Sequence, residues 1–345
     1  MKKKNSVSII GCSIPSLYAG IKCIKMGYSV IIHEKNGEKE HSDLLSYHNL
    51  KIYNNNHDLY IKLLKLYELQ GEKILNIKYN QRLFCFIESI VNKSKFIPDS
   101  ILISQNLVGL CKNLCINIDE FRGNTSFDYL FYKISAFDCL NIFKSDIVDD
   151  STYYYVNNEV LHNLLTMMKC DFELKGGQII YNSCISNIRY IKKKFNLISQ
   201  PCVYQSDYIV TSISKNNLQC FTFWNNDQRK LLNTVTSMPK SHINIMMENI
   251  IHIPDISIVE ETKHINKVLL NDLHVVYPII QKKQKCIYLW KINVNNIFVS
   301  EKIKNIYNDK FLICSESFSK NNMFVHYSLE YVNNALNSLY INCRQ

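Results

Sequence analysis

Glycine is scarce in this chain, with nine residues in 345, well below the roughly 7% of an average globular protein. Lysine, asparagine, isoleucine and tyrosine are abundant in its place. An AT-rich coding sequence produces this profile because glycine codons are GC-rich, so the shortage does not by itself exclude a turn that needs glycine. Paired cysteines are also lacking. The thirteen cysteines are odd in number and scattered; only Cys111 and Cys115 lie close, and no C-x-x-C occurs. That excludes the usual zinc-site spacings and leaves reduced thiols in a reducing compartment, with no metal site expected. No apolar run approaches the ~20 residues of a membrane span. The basic start at residues 1–4 leads into a short run broken by Gly11 rather than a secretory core with a cleavage site, so a cytoplasmic location is expected.

Other signatures are missing as well. No G-x-S-x-G marks a serine nucleophile elbow, and no Walker A lysine motif supports nucleotide hydrolysis. The formal net charge is +10, with lysine runs within 2–4, 192–194 and 282–285. They read as solvated turns, since no arginine-rich stripe or aromatic-basic interleaving accompanies them, and nucleic acid is not an expected partner. His48, His57 and His242 stand singly and read as structural side chains rather than bases.

What is present begins at residues 6–35, SVSIIGCSIPSLYAGIKCIKMGYSVIIHEK. The order of strand, tight turn, helix and second strand ending in an acid is that of a dinucleotide-binding β-α-β unit. Its G-x-G-x-x-G is here Gly11-x-Ser13-x-x-Ser16. Gly11 can make the turn. Ser13 brings a hydroxymethyl group to the place where a phosphate meets bare backbone, and Ser16 widens the helix–strand approach. The helix N-terminus after Pro15 still offers N–H groups to an anion. Glu34, with Lys35 after it, stands where an acid accepts hydrogen bonds from a ribose.

Periodicity organises the remainder. Residues 54–69 read as a helix with Asn56 as N-cap, 81–91 as an apolar stretch and 102–143 as mostly helical. Residues 160–168 suggest a helix, and 176–191 a turn leading into strands. Short strands are expected at 195–199, 208–212 and 311–314, an alternating section at 273–290, and a closing helix at 325–340. The resulting fold class is α/β.

Four stretches carry a resemblance to a known family: the opening unit, IYNNNHDLYIKLLKLYEL at 52–69, LKGGQIIYNSCISNI at 174–188 with SDYIVTSIS at 206–214, and FLICSESFS at 311–319. In this order the chain resembles the flavin-containing amine oxidoreductases, related to monoamine oxidase and protoporphyrinogen oxidase. It is most similar to the short amine-oxidase-like proteins of large DNA viruses. The resemblance implies a Rossmann-like FAD-binding domain with an intertwined α+β substrate domain. It divides the chain into an FAD-binding unit (1–50), a mostly helical substrate segment (51–150), a return to the FAD domain (151–220), a substrate-domain sheet (221–300) and a closing FAD-domain strand and helix (301–345). For a viral protein, the location would be host cytoplasm or virion.

The resemblance also assigns roles. Gly11, Ser13, Ile14 and Ser16 would hold the flavin pyrophosphate, Glu34 and Lys35 the adenosine ribose, Ile185 the adenine through its backbone, and Ser315 and Glu316 the ribityl–phosphate region. The glycine-rich start of the last helix, which in the family faces the isoalloxazine, is replaced by residues 322–328. The family's G-G-R loop is absent from 36–46, and Asn244 falls near its flavin-side lysine. Trp290, Tyr277 and Tyr327 are candidate ring-cage aromatics; no catalytic residue is assigned. Two functions follow: FAD-dependent hydride transfer from an amine or related small molecule, or a flavin-free relative acting as a structural or partner-binding protein.

Overall fold

The computed structural model describes residues 5–38, 52–73, 81–118, 135–137, 139–140, 153–213, 215–233, 237–246, 256–257, 269–270, 275–276, 281–290, 306–307, 309–315, 318 and 325–342. The chain opens with β1 (Ser6–Ile10), α1 (Ile14–Lys25) and β2 (Ser29–His33). Then come β3 (Ile52–Asn54), α2 (Asp58–Leu66), β4 (Glu72–Lys73), α3 (Gln81–Ser94), α4 (Asp99–Ser104) and α5 (Leu107–Asn113). β5 (Tyr153–Tyr155) and α6 (Asn158–Leu174) lead into β6 (Gln178–Ile180), β7 (Asn187–Ile191), β8 (Lys194–Ser199), β9 (Cys202–Ser206) and β10 (Tyr208–Thr211). After α7 (Lys215–Gln219) and α8 (Asn226–Asn233) the chain forms β11 (Ser237–Met246), β12 (Ile256–Ser257), β13 (Leu269–Leu270), β14 (Val275–Val276) and β15 (Gln281–Trp290). It closes with β16 (Phe311–Ile313) and α9 (Val325–Asn342).

The chain divides into two units. Residues 237–289 form one, with a β11–β15 pair and an antiparallel β12–β13–β14 sheet; residues 1–236 and 290–345 form the other. The larger unit is built on a parallel sheet of order β16-β10-β1-β2-β6. Its strands are short apolar runs because both faces are covered. Val7, Ile9, Val30, Ile32, Val210 and Leu312 point to a core shared with α1, α2, α6 and α9, whereas Ile10, Ile209, Phe311 and Ile313 point to a second core under the β7–β8–β9 meander and α7–α8. The parallel sheet therefore forms a Rossmann-like α/β fold.

The scarce glycines work where backbones meet. A Cβ at Gly20 of α1 would lie 2.7 Å from the ring of Phe172, and one at Gly177 would overlap that same ring. Phe172 is fully buried, so both glycines admit the ring that locks α6 onto α1 and β6.

Two expectations change. The cap of α2 is His57, not Asn56, and no side-chain hydrogen bond accompanies it. Asn54, assigned to that helix by periodicity, pairs instead with Tyr153 in a small β3-β5-β4 sheet. The apolar stretch at 81–91 is helix α3. Residues 119–134, within the expected helical region, lie outside the described residues.

Candidate functional site

The sheet order creates a switch point. From β1 the chain first builds outward through β2 and β6, then returns to the other side of β1 with β10 and β16. Ligands of open α/β sheets bind outside the carboxyl ends of the strands at such a point. Here that place is formed by the segment from Gly11 to Ser16 after β1, and by Ser212 and Ile213 after β10.

Gly11 sits at φ +92° and its amide donates to the His33 carbonyl at 2.9 Å. A side chain there would be strained and would meet Ser212 Oγ at 3.1 Å. Ser13 is the N-cap of α1: its Oγ accepts from the Ser16 amide at 3.3 Å. The hydroxymethyl groups of the two non-glycine positions join Ser212 in a hydroxyl cluster, with Ser13 Oγ 3.1 Å from Ser16 Oγ and Ser16 Oγ 2.5 Å from Ser212 Oγ. Ser16 is 1% exposed. These hydroxyls thus tie α1 to the end of β10 at the base of the turn. Gly11, Ser13 and Pro15 remain only half-buried. The amides of Ser13 and Ile14 have no partner among the described residues, which leaves N–H groups of the helix start for an anion.

Glu34 lies 5% exposed beside this turn. One carboxylate oxygen accepts from the Cys12 amide at 2.9 Å and the other from the Asn36 amide at 3.0 Å. The acid therefore pins the turn from both carboxylate oxygens. Lys35 is exposed. Ile185 is buried in the second core, with its own amide and carbonyl unbonded among the described residues. Ser315 is buried just beyond β16, and its carbonyl accepts from the Phe318 amide. Glu316 lies outside the described residues. The structure thus gathers Gly11, Ser13, Ile14, Ser16 and Glu34 around one turn.

Sequence reading missed three neighbours. Ser212 completes the hydroxyl cluster from nearly 200 residues away. Lys169 of α6 is buried, with its ammonium 5.2 Å from the centre of the Tyr181 ring. It forms no ion pair among the described residues, and its charge acts on Cys12. Burial nevertheless pushes the Cys12 thiol up to about 12, so this cysteine is an inert core residue. No local spacing announces Ser212, Lys169 or Tyr181.

The start of α9 is built differently. Val325, His326, Tyr327 and Ser328 are each 9% exposed or less. His326 stacks on His57 with ring centroids 5.0 Å apart and planes 13° from parallel, and Tyr327 packs edge-on to both rings. Side chains lining an open cofactor groove would be exposed in a ligand-free protein; these are covered by protein atoms. The first crossover therefore fits the adenosine diphosphate part of FAD, and the first turn of α9 does not fit a ring system laid against it. Asn244 lies on β11 and Trp290 ends β15; Tyr277 lies outside the described residues.

No described helix is long and apolar enough to cross a membrane, and no metal-ligating cluster occurs among the described residues. No family model matches the chain. A 133-residue stretch, 38% of the chain, is 32% identical to the DNA-directed RNA polymerase subunit alpha of Carsonella ruddii and spans 39% of that protein. Among solved structures, cyclohexylamine oxidase from Brevibacterium oxydans superposes with a TM-score of 0.61 at 9% identity, over 99% of this chain and 100% of that one. The PF1083 protein from Pyrococcus furiosus gives 0.58 at 11% identity, over 97% of each chain. A protein from Exiguobacterium sp. 255-15 designated a protoporphyrinogen oxidase gives 0.57 at 9% identity, over 99% of each. Across nearly its whole length, this chain has the fold that these proteins share.

Proposed function

We propose that the chain binds the adenosine diphosphate moiety of a dinucleotide at its first crossover, and that it is an amine-oxidase-like oxidoreductase with FAD as the dinucleotide. The observation carrying this reading is the Gly11–Ile14 turn at the switch point, with the Ser13 and Ile14 amides unbonded among the described residues and the buried Glu34 carboxylate beside it. The α1 N-terminus and Lys169 supply positive potential for the diphosphate, and Glu34 accepts from a ribose hydroxyl. Bound FAD would supply acceptance of a hydride from the carbon next to an amine. The amine class is supported by the likeness to cyclohexylamine oxidase alone.

A second reading is favoured by the closed first turn of α9: the chain keeps the nucleotide crossover and works without flavin, as a binding or structural protein. Purification followed by visible spectroscopy and titration with FAD and ADP separates the two. The oxidoreductase reading expects a flavin spectrum and FAD bound far more tightly than ADP. The flavin-free reading expects no spectrum and similar affinities for both. At about a hundred times its Kd, either ligand should stabilise the fold by roughly 2.7 kcal/mol. Thermal stability unmoved by both ligands would remove the nucleotide site itself.

A further inference from the structure

The β7–β8–β9 meander leaves β7 as an edge strand: among the described residues only β8 pairs with it. Ile191 and Lys194 close the hairpin, so Asn187, Arg189 and Ile191 carry the bonds to β8, and the main-chain groups of Ile188 and Tyr190 face outward. The Ile188 amide is covered by its neighbour, donating to Asn187 Oδ1 at 2.9 Å. Tyr190 has no such cover among the described residues. A groove of about 550 Å³ runs along this edge, lined by residues from both faces of β7 and by Thr222, Phe223 and Tyr307; Tyr190 packs edge-on to Tyr307, and the Asn187 side-chain amide donates to Thr222 Oγ1. Phe223 and Tyr307 stack with centroids 5.1 Å apart. Tyr190 and Ile191 remain 37% and 49% exposed.

The charges at this edge are of one sign. Arg189 lines the groove, is exposed, and has no ion-pair partner among the described residues. Lys192 and Lys193 form the hairpin tip, and no acidic side chain among the described residues lines the groove. Lys194 alone is neutralised, by Asp207 at 3.2 Å. The tip is conformationally unusual: Lys192 and Lys193 both have positive φ, 52° and 63°. Such a two-residue turn favours Asn-Gly or Asp-Gly. Codon bias does not account for the lysines, since asparagine codons are equally AT-rich and asparagine tolerates this backbone better. Two cations are thus held at the tip against local preference, a departure that points to a role in binding.

We propose that the open edge of β7 takes up an extended acidic segment of a partner protein as an added strand, with its carboxylates on Arg189, Lys192 and Lys193 and its apolar side chains against Tyr190, Phe223 and Tyr307. Main-chain bonds to Tyr190 supply register, and the pockets and charges supply selectivity. A second copy of this chain is a poor occupant, because pairing two β7 edges sets arginine and lysines against their own kind. A nucleic acid lacks the peptide groups that the edge can pair.

The test uses the full chain and a fluorescein-labelled ten-residue peptide of alternating Glu and Val, followed by anisotropy. A Thr-Val peptide and a ten-residue oligothymidylate serve as comparisons. The acidic peptide should bind about tenfold more tightly than the Thr-Val peptide and protect the Tyr190 amide from hydrogen exchange. The double substitution Lys192→Asn with Lys193→Gly relieves the turn. It should raise the melting temperature while weakening the peptide about tenfold, so that lost binding cannot reflect misfolding. Equal binding of the Thr-Val peptide, unchanged affinity in the double variant, an unprotected Tyr190 amide, preference for the oligonucleotide, or self-association through β7 would each overturn the proposal.

Discussion

Helices α1 and α9 each follow a strand of the parallel sheet, and in an α/β fold both starts are natural places for a ligand, yet the two are finished in opposite ways. At α1, small residues leave the turn half-open, with the Ser13 and Ile14 amides unbonded among the described residues. At α9, a valine, two stacked imidazoles and a tyrosine close the first turn. The backbone architecture is the same in kind; what differs is side-chain volume. A fold shared with an amine oxidase therefore transfers the opportunity for a site, and the residues at each helix start decide whether it is kept.

The largest loss is expected among the glycines around α1 and β6, one set by packing and one by backbone angle. Gly177→Ala drives a methyl into the fully buried Phe172 ring, which has nowhere to move. A loss of about 3 kcal/mol in urea unfolding is expected, at the upper end of overpacking effects. Gly27, at φ +92° with nothing within 4 Å of its would-be Cβ, should lose only about 1 kcal/mol on the same change. If the two variants lose equal stability, the Phe172 ring yields to the added methyl, and packing is not what fixes glycine at 177.

A second test lies under the meander. His33 ends β2 against Ser183, which contacts its Nδ1 at 3.1 Å, and against the Tyr204 ring; burial lowers its pKa to about 4. The unfolded imidazole titrates near 6.5. Below that pH the unfolded chain binds the extra proton, so stability contributed by neutral His33 is complete above about 6.5 and is lost as pH falls toward 4. Between pH 7 and 4.5 the loss should reach about 2 kcal/mol. His33→Leu should flatten that limb, and an equally steep acid limb in the variant would assign it to other groups.

The parallel sheet was legible because β1, β2, β10 and β16 are short, largely buried apolar runs, and the crossover was legible because Gly11 and Glu34 mark its two ends. The small β3-β5-β4 sheet was not. Its strands are two or three residues long and their partners lie up to about a hundred residues apart, so no period of two can build up, and Asn54 was absorbed into a helical pattern. The site was half legible for a similar reason. Ser13 and Ser16 could be seen as missing glycines, but their hydroxyl partner Ser212 and the neighbouring Lys169 arrive only through tertiary structure. The two tightest glycines, Gly20 and Gly177, acquire their role only from where Phe172 lands.

The closed side can be opened deliberately. His326→Ala removes one ring of the stacked pair and should destabilise the fold by about 2 kcal/mol, as large-to-small changes at buried positions do. If side-chain volume at α9 is what excludes a ring system, the variant's affinity for FAD should rise relative to ADP by about tenfold, equivalent to about 1.4 kcal/mol. A ratio that does not move would place the exclusion elsewhere.

The smallest expected effect is at the open side. Ser13→Gly restores the second glycine of the motif. Its side chain caps α1 and bonds within the hydroxyl cluster, but glycine is itself an acceptable N-cap, so the stability loss should be a few tenths of a kcal/mol. The Ser13 hydroxyl is turned toward Ser16 and Ser212, not held out from the turn, so affinity for ADP measured by calorimetry should change by less than about threefold, under about 0.7 kcal/mol. A tenfold gain would show that the hydroxymethyl group stands in the phosphate's way. In that case the two helix starts would differ only in how fully each is closed.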